Sequence, residues 1–212
     1  MPAFGYLPIE PDAVTCGRAA ADRSLLPGAE GPVSTRAWML DGCGRAERIG
    51  PVLNNLPTVA VHDAVTEYAA RALHLGGKRR LVVAVQRFIM PEVTMVARAD
   101  PGGESVRLRG CWGIAEDLGD APSFDHWLLE GSELLLRECS PAPKLTATAA
   151  AATGTRRVAV RPAYRVRSVL SGEAVRLIGR RALDIARVVG RPVELEVAVR
   201  ADRSWLVDCS PR

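Results

Sequence analysis

Residues 93–99 (VTMVARA) and 105–112 (SVRLRGCW) are two alternating runs separated by Asp100-Pro101-Gly102-Gly103-Glu104. Proline presets one turn dihedral and glycine supplies left-handed ones, so this spacer reverses the chain. The pattern predicts an antiparallel hairpin. Further strand signals surround it. Residues 81–89 (LVVAVQRFI) are β-branched and nearly continuous, which predicts a buried strand. Residues 133–139 (ELLLREC) and 156–160 (RRVAV) read as strands, and 31–42 (GPVSTRAWMLDG) as a short strand running into a loop. The last twenty residues, VELEVAVRADRSWLVDCSPR, predict a second hairpin.

Helical periodicity is confined to two segments. In the first, Val61, Val65, Tyr68, Ala69, Ala72 and Leu73 form a stripe, with Thr58 expected as its cap. In the second, Val175, Ile178, Ala182, Ile185 and Val189 recur at intervals of three and four. Ser171 opens this helix, and Gly190 and Pro192 end it. Residues 1–32 are rich in proline and glycine and read as an N-terminal arm. Residues 33–212 read as one domain.

Composition excludes several classes. The chain has 212 residues, of which 48% are hydrophobic and 25% charged, as in an ordinary globule rather than a disordered chain. No apolar stretch approaches a membrane span, and no signal-peptide pattern opens the chain. The five cysteines are odd in number and widely spaced, which points to reduced thiols and a cytoplasmic protein. The net charge of +4 comes almost entirely from arginine, since Lys78 and Lys144 are the only lysines. Arg176, Arg180, Arg181 and Arg187 share one helix, but a solvated face explains them and no nucleic-acid motif accompanies them. The expected partner is a small-molecule ligand, not nucleic acid or membrane.

The terminal hairpin carries Glu194, Glu196 and Asp208. Acids at these positions suit either a cation site or a solvated face. Glu196 and Asp208 share a face only if the connecting loop has an odd number of residues, and a three-residue loop, Arg200 to Asp202, meets that condition.

The order of segments resembles the ATP-grasp nucleotide-binding domain of the phosphoenolpyruvate synthase and pyruvate phosphate dikinase family. VAVQRFI resembles the family strand ending V-Q-x-M-V. ARADPGGESVRLRGCWGIAED resembles its F-T-x-D-P … W-G-L-G-E hairpin and loop. GTRRVAV, then SGEAV, GRP and VELEVAV follow its closing strand, helix and strand, WLVDCSPR stands at its L-L-Q-x-R-P, and VSTRAW at its V-R-S-S. The resemblance spans residues 33–212. It implies an α+β fold: an ATP-grasp-like antiparallel sheet with packed helices, its first lobe largely missing.

The resemblance also assigns roles. Glu196 and Asp208 stand where the family binds magnesium and ATP phosphates, and hard carboxylate oxygens suit magnesium. Gln86 and Phe88 stand where adenine lies against backbone and apolar side chains. Arg36 stands at the arginine that contacts the transferring phosphate, a role its planar, permanently charged fork suits. The departures concern phosphate grip. Ser210 replaces the family's final arginine, Ala37-Trp38 replaces a small serine pair, and the lysine-bearing segment of the first lobe is not matched. The Lys78 segment LGGKRR only imitates it and reads as a turn. A phosphoryl-transfer arginine is worth ~10³–10⁵ in rate, so these losses argue against full activity. In a repurposed site, Asp125 and His126, expected in a loop near Trp127, are the acid–base candidates. His62-Asp63 is not a ready-made dyad.

The expected function is therefore a degenerate domain of this kind. Its former nucleotide cleft, lined by Trp38, Trp112, Trp127 and Phe88, binds or transforms another small molecule, in specialised-metabolite biosynthesis. The alternatives are an ATP- and Mg-binding subunit of a split phosphotransferase or ligase, and a non-catalytic interaction module. The cofactors are ATP and Mg, or none. A partner protein or a homodimer would cover the missing lobe.

Overall fold

A computed structural model describes residues 4–9, 31–41, 43, 45–75, 80–116 and 124–211. The fold is α+β and its sheets are antiparallel. The residues from 33 onward, read as one domain, fall into two compact units. One holds Pro2–Ile89 with Ala150–Thr155, and the other holds Met90–Ala149 with Arg156–Arg212.

In the first unit, β1 (Phe4–Ile9), β2 (Val33–Leu40), β3 (Ala46–Leu56) and β4 (Arg80–Arg87) form a sheet of order β1-β4-β2-β3. The sheet thus takes in Phe4–Ile9 from the segment read as an arm. The helix α1 (Val61–Leu75) packs on one face. Val33, Ala37 and Met39 of β2 and Leu81, Val83 and Val85 of β4 meet Val61, Val65, Tyr68 and Ala69 there. Thr58 does not cap α1. It lies in a 3-10 turn, Thr58–Ala60, that precedes the helix, and its hydroxyl donates to the Gly31 carbonyl at 3.3 Å.

In the second unit, six strands run in the order β12-β11-β5-β6-β7-β8: β5 (Val93–Ala99), β6 (Ser105–Trp112), β7 (Asp125–Glu130), β8 (Leu135–Ser140), β11 (Val193–Arg200) and β12 (Arg203–Pro211). A two-stranded ribbon joins β9 (Thr146–Ala150) to β10 (Thr155–Ala159). The β5–β6 hairpin is as predicted. The Asp100 carboxylate accepts from the Gly102 amide at 3.0 Å, and the Gly103 amide closes the turn onto the Asp100 carbonyl at 3.0 Å.

The helix α2 (Gly172–Val189) covers one face of this sheet. The Ser171 hydroxyl accepts from the Ala174 amide, and Gly190 closes the helix in the left-handed region at φ 74°. Val175, Ile178, Ala182, Leu183 and Ala186 pack onto Met95, Leu108, Leu129, Val193 and Leu195. Full burial of each large aliphatic side chain contributes roughly 1.5–3 kcal/mol. That apolar stripe fixes which face of every strand points away from the core. No helix among the described residues is long and apolar enough to cross a membrane.

Candidate functional site

The opposite face of the six-stranded sheet holds the acids of the terminal hairpin. Val193, Leu195 and Val197 point into the core, so Glu194 and Glu196 point away from it. Glu196 stands opposite Asp208 on β12 and opposite Val96 on β5. The parity that brings the two acids together differs from the expected one. Arg200 pairs with Arg203, so the turn is only Ala201-Asp202, with Ala201 left-handed at φ 52°. An even loop would leave Glu196 and Asp208 on opposite faces. A β-bulge supplies the odd residue instead: Val197 pairs with Leu206 while Glu196 pairs with Asp208, leaving Val207 as the extra residue.

Asp208 is partly buried. One of its oxygens accepts from the Cys209 amide at 3.0 Å and the other from the Ser210 hydroxyl at 3.4 Å. Glu194 pairs with Arg98 across β11 and β5. Cys111 also lies on this face, opposite Thr94. Burial pushes its thiol up to about 12, and the carboxylates of Glu196 and Asp125 add to the effect. Cys43, Cys111, Cys139 and Cys209 are free thiols. Among the described residues no group of three or more His, Cys, Asp or Glu side chains is placed to hold a metal ion. The Glu196–Asp208 pair therefore offers at most two carboxylates. That number fits magnesium, which completes its shell with water and phosphate oxygens.

In the four-stranded sheet, Thr35, Ala37 and Met39 face α1, which turns Ser34, Arg36 and Trp38 to the other side. Arg36 is 4% exposed and stands opposite Ala84, and Ser34 stands opposite Gln86. Arg36 and Gln86 therefore share a face. The Ser34 hydroxyl donates to the Asn54 side-chain oxygen at 2.8 Å. Phe88 lies just past β4, partly buried, with its amide donating to the Pro32 carbonyl at 2.9 Å.

Asp125 and His126 do not lie in a loop. They begin β7, and as neighbours on a strand they point to opposite faces. His126 is exposed. Asp125 is fully buried on the core side, and its carboxylate is committed. One oxygen takes the Lys144 ammonium and the Ala142 amide (2.8 Å), and the other takes the Val169 amide (2.8 Å). Lys144 is 1% exposed and donates also to the Ala142 carbonyl at 2.7 Å. The pair ties the segment after β8 and the approach to α2 onto the start of β7. It is an anchor of the fold and not an acid–base pair open to a substrate. The four aromatic residues expected to line one pocket are divided between the two units. Trp127 is 3% exposed in the core. Trp112 donates its indole N–H to the Tyr164 carbonyl at 3.2 Å and meets the Tyr164 ring edge-on. Trp38 and Phe88 belong to the four-stranded unit.

The Asp125–Lys144 pair was not anticipated from the sequence. One signal pointed to it: in a chain that uses arginine almost throughout, Lys144 is one of two lysines, and it follows Pro141-Ala142-Pro143. A compact ammonium with three donors fits a buried niche that a planar fork does not.

No protein-family model matches the sequence, and no curated protein matches it. Among solved structures, the D-alanine–D-alanine ligase of Bacillus anthracis is similar at 7% identity with a TM-score of 0.43. The alignment covers all of this chain, which spans half the length of that one.

Proposed function

We propose that the chain is an ATP-grasp-type domain of the phosphoenolpyruvate synthase kind whose nucleotide-handling face has been put to another use. It binds or transforms a different small molecule in specialised-metabolite biosynthesis. The observation that carries this reading is the Glu196–Asp208 pair, set opposite one another by a bulge on the face away from α2. Carboxylates directly opposite one another on adjacent strands repel, a cost that a bound cation would relieve. The losses at the phosphate-gripping positions favour a changed ligand. Ser210 stands in place of an arginine, and Trp38 follows Arg36 where small residues are the rule.

The second reading is a subunit that binds Mg and ATP and receives its remaining parts from a partner protein or a second copy. The same acid pair supports it. If magnesium is held, Glu196 and Asp208 are its protein ligands, and the ion would neutralise phosphate charge. Calorimetry separates the two. On the first reading, millimolar ATP with magnesium gives no heat, and small-molecule binding is unaffected by EDTA. On the second, ATP binds only with magnesium, and Glu196→Ala and Asp208→Ala each abolish the heat. Heat that survives both substitutions would sink both readings.

A further inference from the structure

At the Ala99 and Val193 end of the six-stranded sheet lies an open cavity of about 390 Å³. That volume is in the range that holds a small ligand. Its polar lining is Arg98, Asp100, Ser105 and Arg107, and Pro192 supplies an apolar wall, while Val193 borders the cavity with its side chain buried in the core. Arg98 and Arg107 are direct partners across β5 and β6, so their side chains leave the same face side by side. Two like charges in this position repel, and the sequence places no acid between them on either strand.

The neighbouring strand answers half of that repulsion. Glu194, opposite Arg98 on β11, accepts from the Arg98 Nε. This holds the guanidinium by one edge and leaves its two terminal nitrogens as donors. Arg107 has no ion-pair partner among the described residues. The Asp100 carboxylate is engaged by its own turn through the Gly102 amide. Ser105 adds a neutral hydroxyl donor to the lining.

We propose that this cavity is a binding site for a phosphate monoester, its oxygens held by Arg107 and by the terminal nitrogens of Arg98, and its carbon portion resting on Pro192. Paired guanidiniums match the several oxygens and the double charge of a phosphate monoester better than a single carboxylate. The Arg98–Glu194 pair positions one fork, and Arg107 supplies the charge not already neutralised.

Phenyl phosphate is a suitable probe, titrated at constant ionic strength while the arginine Nε–Hε resonances are followed by NMR, with benzoate and inorganic phosphate in parallel. The expected result is saturable movement of the Arg98 and Arg107 signals by phenyl phosphate, weaker binding of the other two compounds, and at least about fivefold weaker binding in Arg107→Gln. Arg107 is exposed, so this variant should fold, which circular dichroism checks. Arg176→Gln/Arg180→Gln on α2 controls for general basicity and should leave binding unchanged. The proposal is overturned if the Arg98 and Arg107 signals stay still, if benzoate binds as well, if Arg107→Gln weakens binding by less than fivefold, or if the α2 variant loses as much.

Discussion

Replacing Asp125 with Asn should be among the most damaging conservative changes this chain can suffer. The side chain is fully buried and accepts three donors, one of them the ammonium of a lysine that is itself 1% exposed. Asn keeps the shape but offers one acceptor oxygen. If that oxygen keeps Lys144 and the Ala142 amide, the new amide group meets the Val169 amide donor to donor. If it turns over, Lys144 loses its partner. Either way a buried charge remains uncompensated, and breaking such a pair from one side costs about 3–5 kcal/mol. Domains of this size have total stabilities of about 5–15 kcal/mol, so the loss is a large share. Lys144→Met removes the other partner and should cost a similar amount, since the carboxylate retains only two backbone amides. The double variant should cost less than the sum, with a coupling of at least about 2 kcal/mol. Urea denaturation followed by Trp127 fluorescence in a background with Trp38, Trp112 and Trp205 replaced by Phe reports on the unit that contains the pair. Single costs below about 1 kcal/mol, or costs that add to within about 0.5 kcal/mol, would refute the anchor.

Other substitutions test other parts of the structure. Gly179→Ala places a methyl group onto Leu129, which is fully buried between α2 and the sheet, so overpacking of about 1–3 kcal/mol should appear in the same denaturation. Ser171→Ala removes the N-terminal hydrogen bond of α2 and should cost about 1 kcal/mol, whereas Thr58→Ala should not produce a capping loss at α1. Cys111 favours its neutral thiol in the folded state. Its stabilising contribution is therefore complete below the ordinary thiol range near 9 and falls as pH rises toward about 12. A stability profile of Cys111→Ala should be flatter across that window, and in the native protein Cys139, which is exposed, should be alkylated well before Cys111.

Much of this architecture could be read in advance where local chemistry and long-range packing agree. The Asp100–Glu104 turn, the Ser171 and Gly190 ends of α2 and the β-branched run of β4 each carry their instruction within a few residues. Two strands without a clear sequence signal lie at sheet edges. β1 contains Pro8, and β3 contains Gly50, Pro51, Asn54 and Asn55. Both flank the four-stranded sheet, where a missing amide or a kink is tolerated because one side needs no partner. The start of β7 was hidden differently. Asp125 and Lys144 are polar, and polarity in sequence reads as surface, yet each is buried because the other is present nineteen residues away. Of the site, the Glu196–Asp208 juxtaposition was anticipated, but through a longer turn. No local signal announces that Val207 will bulge.

That bulge has a consequence for how this strand can vary. Loss of Val207 would leave the turn and the ladder intact and straighten the strand, because Asp208 would take the vacated place opposite Glu196. Both carboxylates would keep their common face, and the residues beyond them would keep their inside and outside. The two acids therefore stay paired whether or not Val207 is kept, and what the bulge adds is the local bend and twist of the strand.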